Sequence, residues 1–198
     1  MQAFRRLLTI AVCLFSGCVS IAPSPDDMGD RVSNNTNLCA SIDGTYHIHG
    51  TGYEHGNAST TDDNGQKWRL TTYLLSPDMD KRLSHYAPTS VHVGHMMLNE
   101  KNYLTIQVLS NDKVIHKSTL GNKSFECTDE GIKLESVTDT GAVFIGGYHS
   151  GIDVLFSRNG DGDLVMKYNE TGLGVAGMIL PFPVFIESYA KWPAVTVQ

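Results

Sequence analysis

Several features that would identify a class of protein are missing from this chain of 198 residues. It contains no Cys-x-x-Cys, Gly-x-Ser-x-Gly or His-Glu-x-x-His motif, the sequence signs of a thiol redox catalyst, a serine hydrolase and a zinc protease. No segment has the period of a long amphipathic helix. No apolar run reaches the length of about 20 residues that a transmembrane helix needs. These absences are compatible with a fold built of short strands. No motif in the sequence assigns an activity.

Positive charge is also scarce. The chain has 15 lysines and arginines against 21 aspartates and glutamates, which gives a formal net charge of -6. It has no basic stripe on which phosphate contacts could release counterions, so we predict no nucleic-acid partner. The length fits one domain with a sizeable core.

The N-terminal residues carry the clearest signal in the chain. Arg5 and Arg6 precede a short apolar run at 7–15, and Ser-Gly then leads directly into Cys18. The segment Leu-Phe-Ser-Gly-Cys at 14–18 resembles the lipobox of bacterial lipoproteins. That resemblance implies cleavage before Cys18 and acylation of this cysteine, with chains such as palmitate, as the new N-terminus. It also implies an outer-membrane lipoprotein of the cell envelope that faces the periplasm, because Val19 follows Cys18 where an aspartate favours inner-membrane retention.

The leader and the residues after it predict three regions. Residues 1–17 form the lipoprotein signal peptide, 18–38 the lipidated cysteine and a flexible tether rich in Ser, Pro, Asp and Asn, and 39–198 a single β-rich domain. Loss of the leader removes Arg5 and Arg6 and no acidic residue, so the net charge of the remaining chain becomes -8. We expect the lipid anchor to be the chain's attachment to the membrane.

Two of the four cysteines remain after the leader and the anchor are assigned. In an oxidising compartment Cys39 and Cys127 are expected to form a disulfide. Closing a loop of that length stabilises a fold by about 4 to 5 kcal/mol on the chain-entropy model.

The body has the period of two residues that is typical of half-buried strands. At 42–49 apolar Ile42, Tyr46 and Ile48 alternate with polar residues, and 77–86 has room for one or two helical turns. Short turn sequences separate further runs of the same kind. These predicted strands are 68–75, 89–96, 103–109, 113–120, 132–137, 142–148, 152–157 and 164–169.

These strands predict an all-β fold, a single antiparallel meander of about eight to ten strands. Such a meander protects its edges by closing into a barrel or by folding into two packed sheets. We favour the barrel, which resembles the lipocalin-like and calycin-like barrels of envelope lipoproteins at the level of fold only. A β-sandwich is the alternative.

Histidines offer the first candidate chemistry. His47 and His49 project from one face of the first strand, with His55 nearby and His92, His95 or Glu54 as a conceivable third ligand. That face is the polar one, where solvated histidines need no ligand, so we predict neither a metal site nor a cofactor. Residues 159–163, Asn-Gly-Asp-Gly-Asp, lack the remaining ligands of a calcium loop and are predicted to form a turn.

The second candidate is the uncharged segment 172–186, with three glycines and the Pro-Phe-Pro of 181–183. It is either a buried closing strand or an exposed apolar lip that meets a lipid, a ligand or a protein. We expect Phe185 to lie in the core and 181–183 to form the exposed part. If the segment forms a lip, its predicted binding residues are Phe182, Phe185 and Trp192.

Together these features favour a non-catalytic binding or assembly module anchored in the envelope. One alternative is a carrier that holds a small apolar ligand in a barrel cavity, and another is a hydrolase whose site is assembled from distant residues. Asp153 and Glu135 are acidic residues on outward strand faces, and nothing in the sequence pairs them. The expected partners are the membrane and either an envelope protein or an apolar ligand.

Overall fold

Strands make up most of this structure, a computed structural model. It describes residues 18–21, 28–29, 42–54, 57–61, 68–143, 146–176 and 180–196. The signal peptide predicted at 1–17 lies outside the described residues.

Twelve strands and three short helices are formed by the described residues. The strands are β1 Cys18–Ile21, β2 Gly44–His47, β3 Thr51–Glu54, β4 Asn57–Ser59, β5 Ser90–Leu98, β6 Lys101–Ser110, β7 Lys113–Gly121, β8 Phe125–Thr128, β9 Gly131–Val143, β10 Gly146–Arg158, β11 Leu164–Ala176 and β12 Leu180–Trp192. The helices are α1 Leu70–Leu74, α2 Pro77–Leu83 and a 3-10 turn at Ser84–Tyr86. The all-β prediction is confirmed.

The strands form two sheets, antiparallel except at β1. The larger runs in the order β4-β3-β12-β11-β10-β9-β8, with β1 added in parallel on β12, and the smaller runs β2-β5-β6-β7. Neighbouring strands are mostly neighbours in sequence, because two-residue turns such as Asn99-Glu100 and Asn111-Asp112 reverse the chain with positive φ angles.

Both sheets contribute side chains to one hydrophobic core. Its fully buried members come from alternate positions of strands in both sheets and bury their apolar surface against one another. From the small sheet these are Tyr46, Val91, Val93, Leu104 and Ile106, and from the large sheet Ile132, Phe156, Leu164, Met166, Ala190 and Trp192.

The first and last strands of the body also meet through their backbones. The N–H of His47 donates to the carbonyl of Pro193 at 2.9 Å, and that of Val195 donates to Thr45 at 2.7 Å. The chain after β12 therefore lies beside β2 and joins the two sheets along one side.

The strand predicted at 68–75 is not formed. This segment contains α1, and the helix turns Leu70, Thr71 and Leu74 toward the interior. Trp68, just before the helix, lies so close to β3 that a Cβ atom on Gly52 would come within 1.8 Å of its ring. The helix that 77–86 predicts is confirmed as α2 and the 3-10 turn, and it begins with Pro77, a residue suited to a first helical turn.

The prediction of three short strands between 132 and 157 is also wrong, because these residues form two long strands, β9 and β10. The ladder between β9 and β10 continues from Ile152 opposite Val137 to Gly146 opposite Val143, so residues 139–141, which separate two of the predicted strands, lie inside β9. In the same way β11 continues past 169 to Ala176. Pairing with β10 holds 139–141 of β9 in strand conformation, and pairing with β10 and β12 holds the glycine-containing end of β11, which a turn-residue pattern does not reveal.

The four long strands divide into two regions that we call the proximal and distal segments. The proximal segments are 131–136, 153–158, 164–170 and 187–192, and the distal segments are 137–143, 146–152, 171–176 and 180–186. Among the side chains that the structure describes, those that β9–β12 contribute to the core lie in the proximal segments; in the distal segments it describes only the side chains of 151–152, 171–172 and 185–186.

The N-terminal residues differ from the flexible tether predicted at 18–38. Cys18–Ile21 pairs with β12, with Cys18 opposite Val184 and Ile21 opposite Glu187. Further along, Met28 is buried against the outer face of the large sheet with Tyr53, Val165 and Tyr189. The open edge of β12 and an apolar patch on the sheet hold these residues, and neither is visible in the tether's own sequence.

Candidate functional site

The predicted histidine ligands lie apart or serve other contacts. His47 is exposed at the end of β2, and His49 is exposed next to it, where its backbone bridges to Arg69. His92 Nδ1 lies 3.0 Å from Thr45 Oγ1, and His95 Nε2 lies 3.1 Å from the Asn102 side-chain oxygen.

Across the part of the chain that the structure describes, no three His, Cys, Asp or Glu side chains are grouped to hold a metal ion. His55 and the side chain of Glu54 lie outside the description. The arrangement of the described histidines is that of a solvated polar sheet face with local hydrogen bonds.

The acidic segment 159–163 forms a structural turn between β10 and β11. Asn159 is buried, its side-chain N–H donates to the Met28 carbonyl at 2.8 Å, and its side-chain oxygen accepts from the N–H of Asp163 at 2.8 Å. The Asp163 carboxylate in turn accepts from the N–H of Ala194 at 2.9 Å. These oxygens tie the N-terminal residues, the turn and the chain end together.

Cys127, at the end of the large sheet in β8, is disulfide-bonded. Cys39, the partner predicted for it, lies outside the described residues. The pairing therefore stays a prediction.

A cluster of polar side chains below α1 was missed by the sequence analysis. The Asp80 carboxylate accepts hydrogen bonds from the hydroxyls of Thr71 and Thr72 and lies 3.2 Å from Arg69 Nη2. Thr71 is buried, while Arg69 and Asp80 remain partly accessible. The cluster joins the ends of α1 and α2, and its only sequence signal is the capping-type run of threonine and aspartate around two short helices.

The outer face of the large sheet pairs its charges. Lys133 Nζ lies 3.2 Å from Asp153 Oδ1, and Lys167 Nζ lies 2.9 Å from Glu187 Oε2. The hydroxyl of Tyr189 also donates to the Glu187 carboxylate. Asp153, one of the two acidic residues considered at the sequence level, is thus an ion-pair partner on a strand face; the side chain of Glu135 lies outside the description.

Trp192, predicted as a binding residue of an apolar lip, is located in the core. Its side chain has no exposed surface, and its Nε1 donates to the carbonyl of Trp68 at 3.2 Å. Its ring lies edge-on to Tyr73 at 5.8 Å and 6.3 Å from Phe156. Because β12 alternates its faces, the proximal end of the strand turns this ring toward the small sheet instead of toward solvent.

Phe185 differs from the expectation in the opposite direction. We expect it in the core, but 44% of its surface is exposed, and its neighbour Ile186 is 39% exposed. Both lie in the distal segment of β12, opposite Val19 and Ser20 of β1 in the parallel pairing. The side chain of Phe182 lies outside the description. Phe185 is exposed on the outer face of the sheet and Ile186 on the opposite face, so the candidate functional site is the end of the large sheet around these two residues and β1.

One ionisable group with a raised pKa belongs to the core. Burial raises the pKa of Tyr46 to about 12, and its hydroxyl donates to the carbonyl of Ile42 at 2.7 Å. The phenol is fully buried between the sheets. Its role is structural, because it satisfies a backbone acceptor at the start of β2.

Comparison with known proteins identifies no relative. No protein-family model matches the chain, no curated protein matches its sequence, and no solved structure matches its fold. Within the described ranges, neither α1 nor α2 nor any other helix is long and apolar enough to cross a membrane.

Proposed function

We propose that this chain is a lipid-anchored protein of the bacterial envelope and that its body acts as a non-catalytic binding or assembly module. The observation that carries the proposal is the docking of Cys18–Ile21 on β12. The cysteine of the lipobox-like segment thereby begins a strand of the body. An acyl chain on Cys18 would hold one end of the large sheet close to the lipid.

The interior that the structure describes is packed, which favours a binding module over a carrier of apolar ligands. Between the two sheets, rings of Tyr46, Phe156 and Trp192 lie against aliphatic side chains with essentially no exposed surface. A carrier of apolar ligands needs a lined cavity of several hundred Å³, commonly about 300 to 1,000 Å³. A surface groove of about 440 Å³ is lined in part by Lys123, Glu126, Lys133 and Asp153, which does not suit an apolar ligand.

The finer architecture that we infer is a barrel with one open seam. The backbone bonds of Thr45 and His47 to 193–195 connect the first body strand with the continuation of the last. Along this connection the order is β8-β9-β10-β11-β12, then residues 193–195, then β2-β5-β6-β7, with β1, β3 and β4 attached beside β12, so that β7 and β8 face the seam. Amide exchange tests this: fast exchange along the outer edge of β7 supports the seam, and protection there would indicate a fully closed barrel.

Intact-mass analysis of protein extracted from membranes tests the anchor. The expected mass lacks residues 1–17 and includes acyl chains on Cys18, and the protein floats with outer-membrane fractions on a density gradient. The matched control is Cys18→Ser, which should carry no acyl chains and leave the membrane fraction. A mature chain that begins elsewhere and carries no lipid would contradict the proposal.

Native mass spectrometry separates the module from the carrier. The module is expected to carry no small apolar molecule after release from lipid. A ligand retained at one copy per chain would favour the carrier instead.

A further inference from the structure

The distal segments contain almost no charge, in contrast to the proximal ones. Residues 171–186 have no Asp, Glu, Lys or Arg, and residues 137–152 have only Asp139. The proximal segments carry eight charged residues, namely Lys133, Glu135, Asp153, Arg158, Lys167, Glu170, Glu187 and Lys191. Because the register holds the four strands side by side, the uncharged stretches meet at one end of the large sheet.

β1 runs along this same end. Its first residue, Cys18, lies opposite Val184, and the strand continues in parallel toward Glu187, away from the strand tips. Residues 180–183 of β12 extend beyond the start of β1 by about 13 Å at strand spacing. A lipid attached to Cys18 therefore starts beside the distal segments and not beside the charged proximal ones.

We propose that the distal segments of β9–β12, with Phe185 and Ile186, form a second and non-covalent contact with the lipid bilayer surface. The proposal rests on the proposed acylation of Cys18, because the anchor brings this end of the sheet to the lipid. The partly exposed rings and methyl groups at 185 and 186 are the described side chains that would enter the interface.

The contact lies in the interfacial layer and does not span the bilayer. Among the described strands, residues 180–183 pair with β11 alone, so one edge of β12 is open there. Hydrocarbon does not accept an open sheet edge, whereas the hydrated headgroup layer does. Pro181 and Pro183 lie two residues apart and have no N–H, so they reduce the number of donors that this stretch leaves unpaired.

The binding force is apolar. Without residues 1–17 the chain has a net charge of -8, and the distal segments contribute no lysine or arginine to attract anionic lipids. We therefore expect contact with neutral phosphatidylcholine, no increase when phosphatidylglycerol is added, and little dependence on salt.

Fluorescence quenching tests the contact in the full chain, held by its own N-terminus in vesicles of brominated phosphatidylcholine. The test variant is Phe185→Trp, with Ile186→Trp as a second position should the first disturb folding. The matched control is Val114→Trp, since Val114 is 52% exposed on β7 of the small sheet. Trp68 and Trp192 are buried in the core, so the unsubstituted chain supplies the background.

The expected result is quenching of Phe185→Trp that exceeds quenching of Val114→Trp severalfold. It should be strongest for shallow bromine positions, since interfacial side chains lie about 5 to 10 Å into the headgroup boundary. Equal quenching at the two positions in a chain shown by mass to be acylated would overturn the lipid contact and leave the anchor intact. Strong quenching at 185 in a chain that carries no acyl chain would support the contact and overturn its dependence on the anchor.

Discussion

The proximal and distal segments belong to the same four strands and share the same ladder of backbone bonds, yet they differ in what covers them. Phe156 and Trp192 in the proximal segments are fully buried against the small sheet, whereas Phe185 and Ile186 in the distal segments remain exposed. Hydrogen bonding therefore does not distinguish the two regions. Among the described side chains, burial does: those of the proximal segments that face the small sheet are buried or partly buried, whereas Ile186, at a core-facing position of β12, is 39% exposed.

The charge pattern follows the same division. The outer face of the proximal segments pairs Lys133 with Asp153 and Lys167 with Glu187, as expected of a face in water. The distal segments offer no such pairs in their sequence, which has Asp139 as its single charged residue. A region with so little charge, and with exposed side chains at 185 and 186, is suited to a contact outside the chain.

The largest predicted difference comes from matched phenylalanine substitutions in the two regions. Phe156→Ala should lower the free energy of unfolding by about 3 to 5 kcal/mol, because it leaves a cavity beside Trp192. Phe185→Ala should cost less than about 1 kcal/mol, since nearly half of the side chain is exposed. Urea unfolding curves of both variants measure this, and equal large losses would show that the distal segment is packed after all.

The next effect is a pH dependence confined to the packed region. Tyr46 is protonated in the folded state up to a pKa of about 12, above the ordinary value of 10.0. The folded state therefore binds the proton more tightly, so this contribution is complete below pH 10 and is lost as the pH rises toward 12. The loss should amount to about 2 to 3 kcal/mol.

Unfolding curves between pH 9 and 12 measure this loss, and Tyr46→Phe is the control. That variant should lose stability at neutral pH, because it lacks the bond to the Ile42 carbonyl. Its stability should fall less steeply above pH 10. An identical slope in both proteins would mean that Tyr46 is not the group responsible.

A smaller effect is expected at the turn that fastens the N-terminal residues to the proximal end. Asn159→Ala removes the donor to the Met28 carbonyl and the acceptor for the N–H of Asp163. The cost should be about 1 to 3 kcal/mol, because the groups left behind lie in a buried turn. Asn122→Ala, in the exposed turn between β7 and β8, is the control and should change stability very little. Thermal unfolding of both variants measures this cost. If neither substitution lowered the stability, the structural role of Asn159 would be contradicted.

The smallest effect belongs to the charged outer face. Lys167→Met breaks the 2.9 Å contact with Glu187 but keeps most of the apolar stem of the side chain. Because both groups are partly in water, the change in unfolding free energy should stay below about 1 kcal/mol. Repeating the measurement at high salt should reduce the difference further, and a loss as large as that of Phe156→Ala would contradict the solvated character of this face.

Much of the fold follows from local sequence patterns, and the exceptions have a common cause. Alternation of apolar residues predicts β2, β5, β6 and β7 closely, since each strand has one core face. This alternation fails at α1, because over so short a stretch the apolar residues fit the period of a helix as well as that of a strand. It also fails in β9–β11, where glycines suggest turns. Pairing with distant strands decides both cases, and a single sequence does not contain that information.

The candidate surface is predictable only in part for the same reason. The uncharged run 172–186 draws attention to this end of the molecule, but sequence alone places Phe185 and Trp192 on the wrong sides. Both lie in β12, but at positions of opposite parity, so Trp192 points toward the core and Phe185 points to the outer face of the sheet with Tyr189. The pairing of Cys18 with Val184 depends on an open strand edge that exists only in the folded chain.

Native-state hydrogen exchange within β11 tests the division most directly, because one strand passes through both regions with the same neighbours. Amides at 164–170, next to Leu164 and Met166 in the core, should exchange only when the whole chain unfolds. Amides at 171–176 should exchange through local opening, with a free energy at least about 2 kcal/mol smaller. Equal opening free energies along the whole strand would contradict the claim that packing by the second sheet separates a stable proximal region from an exposed distal one.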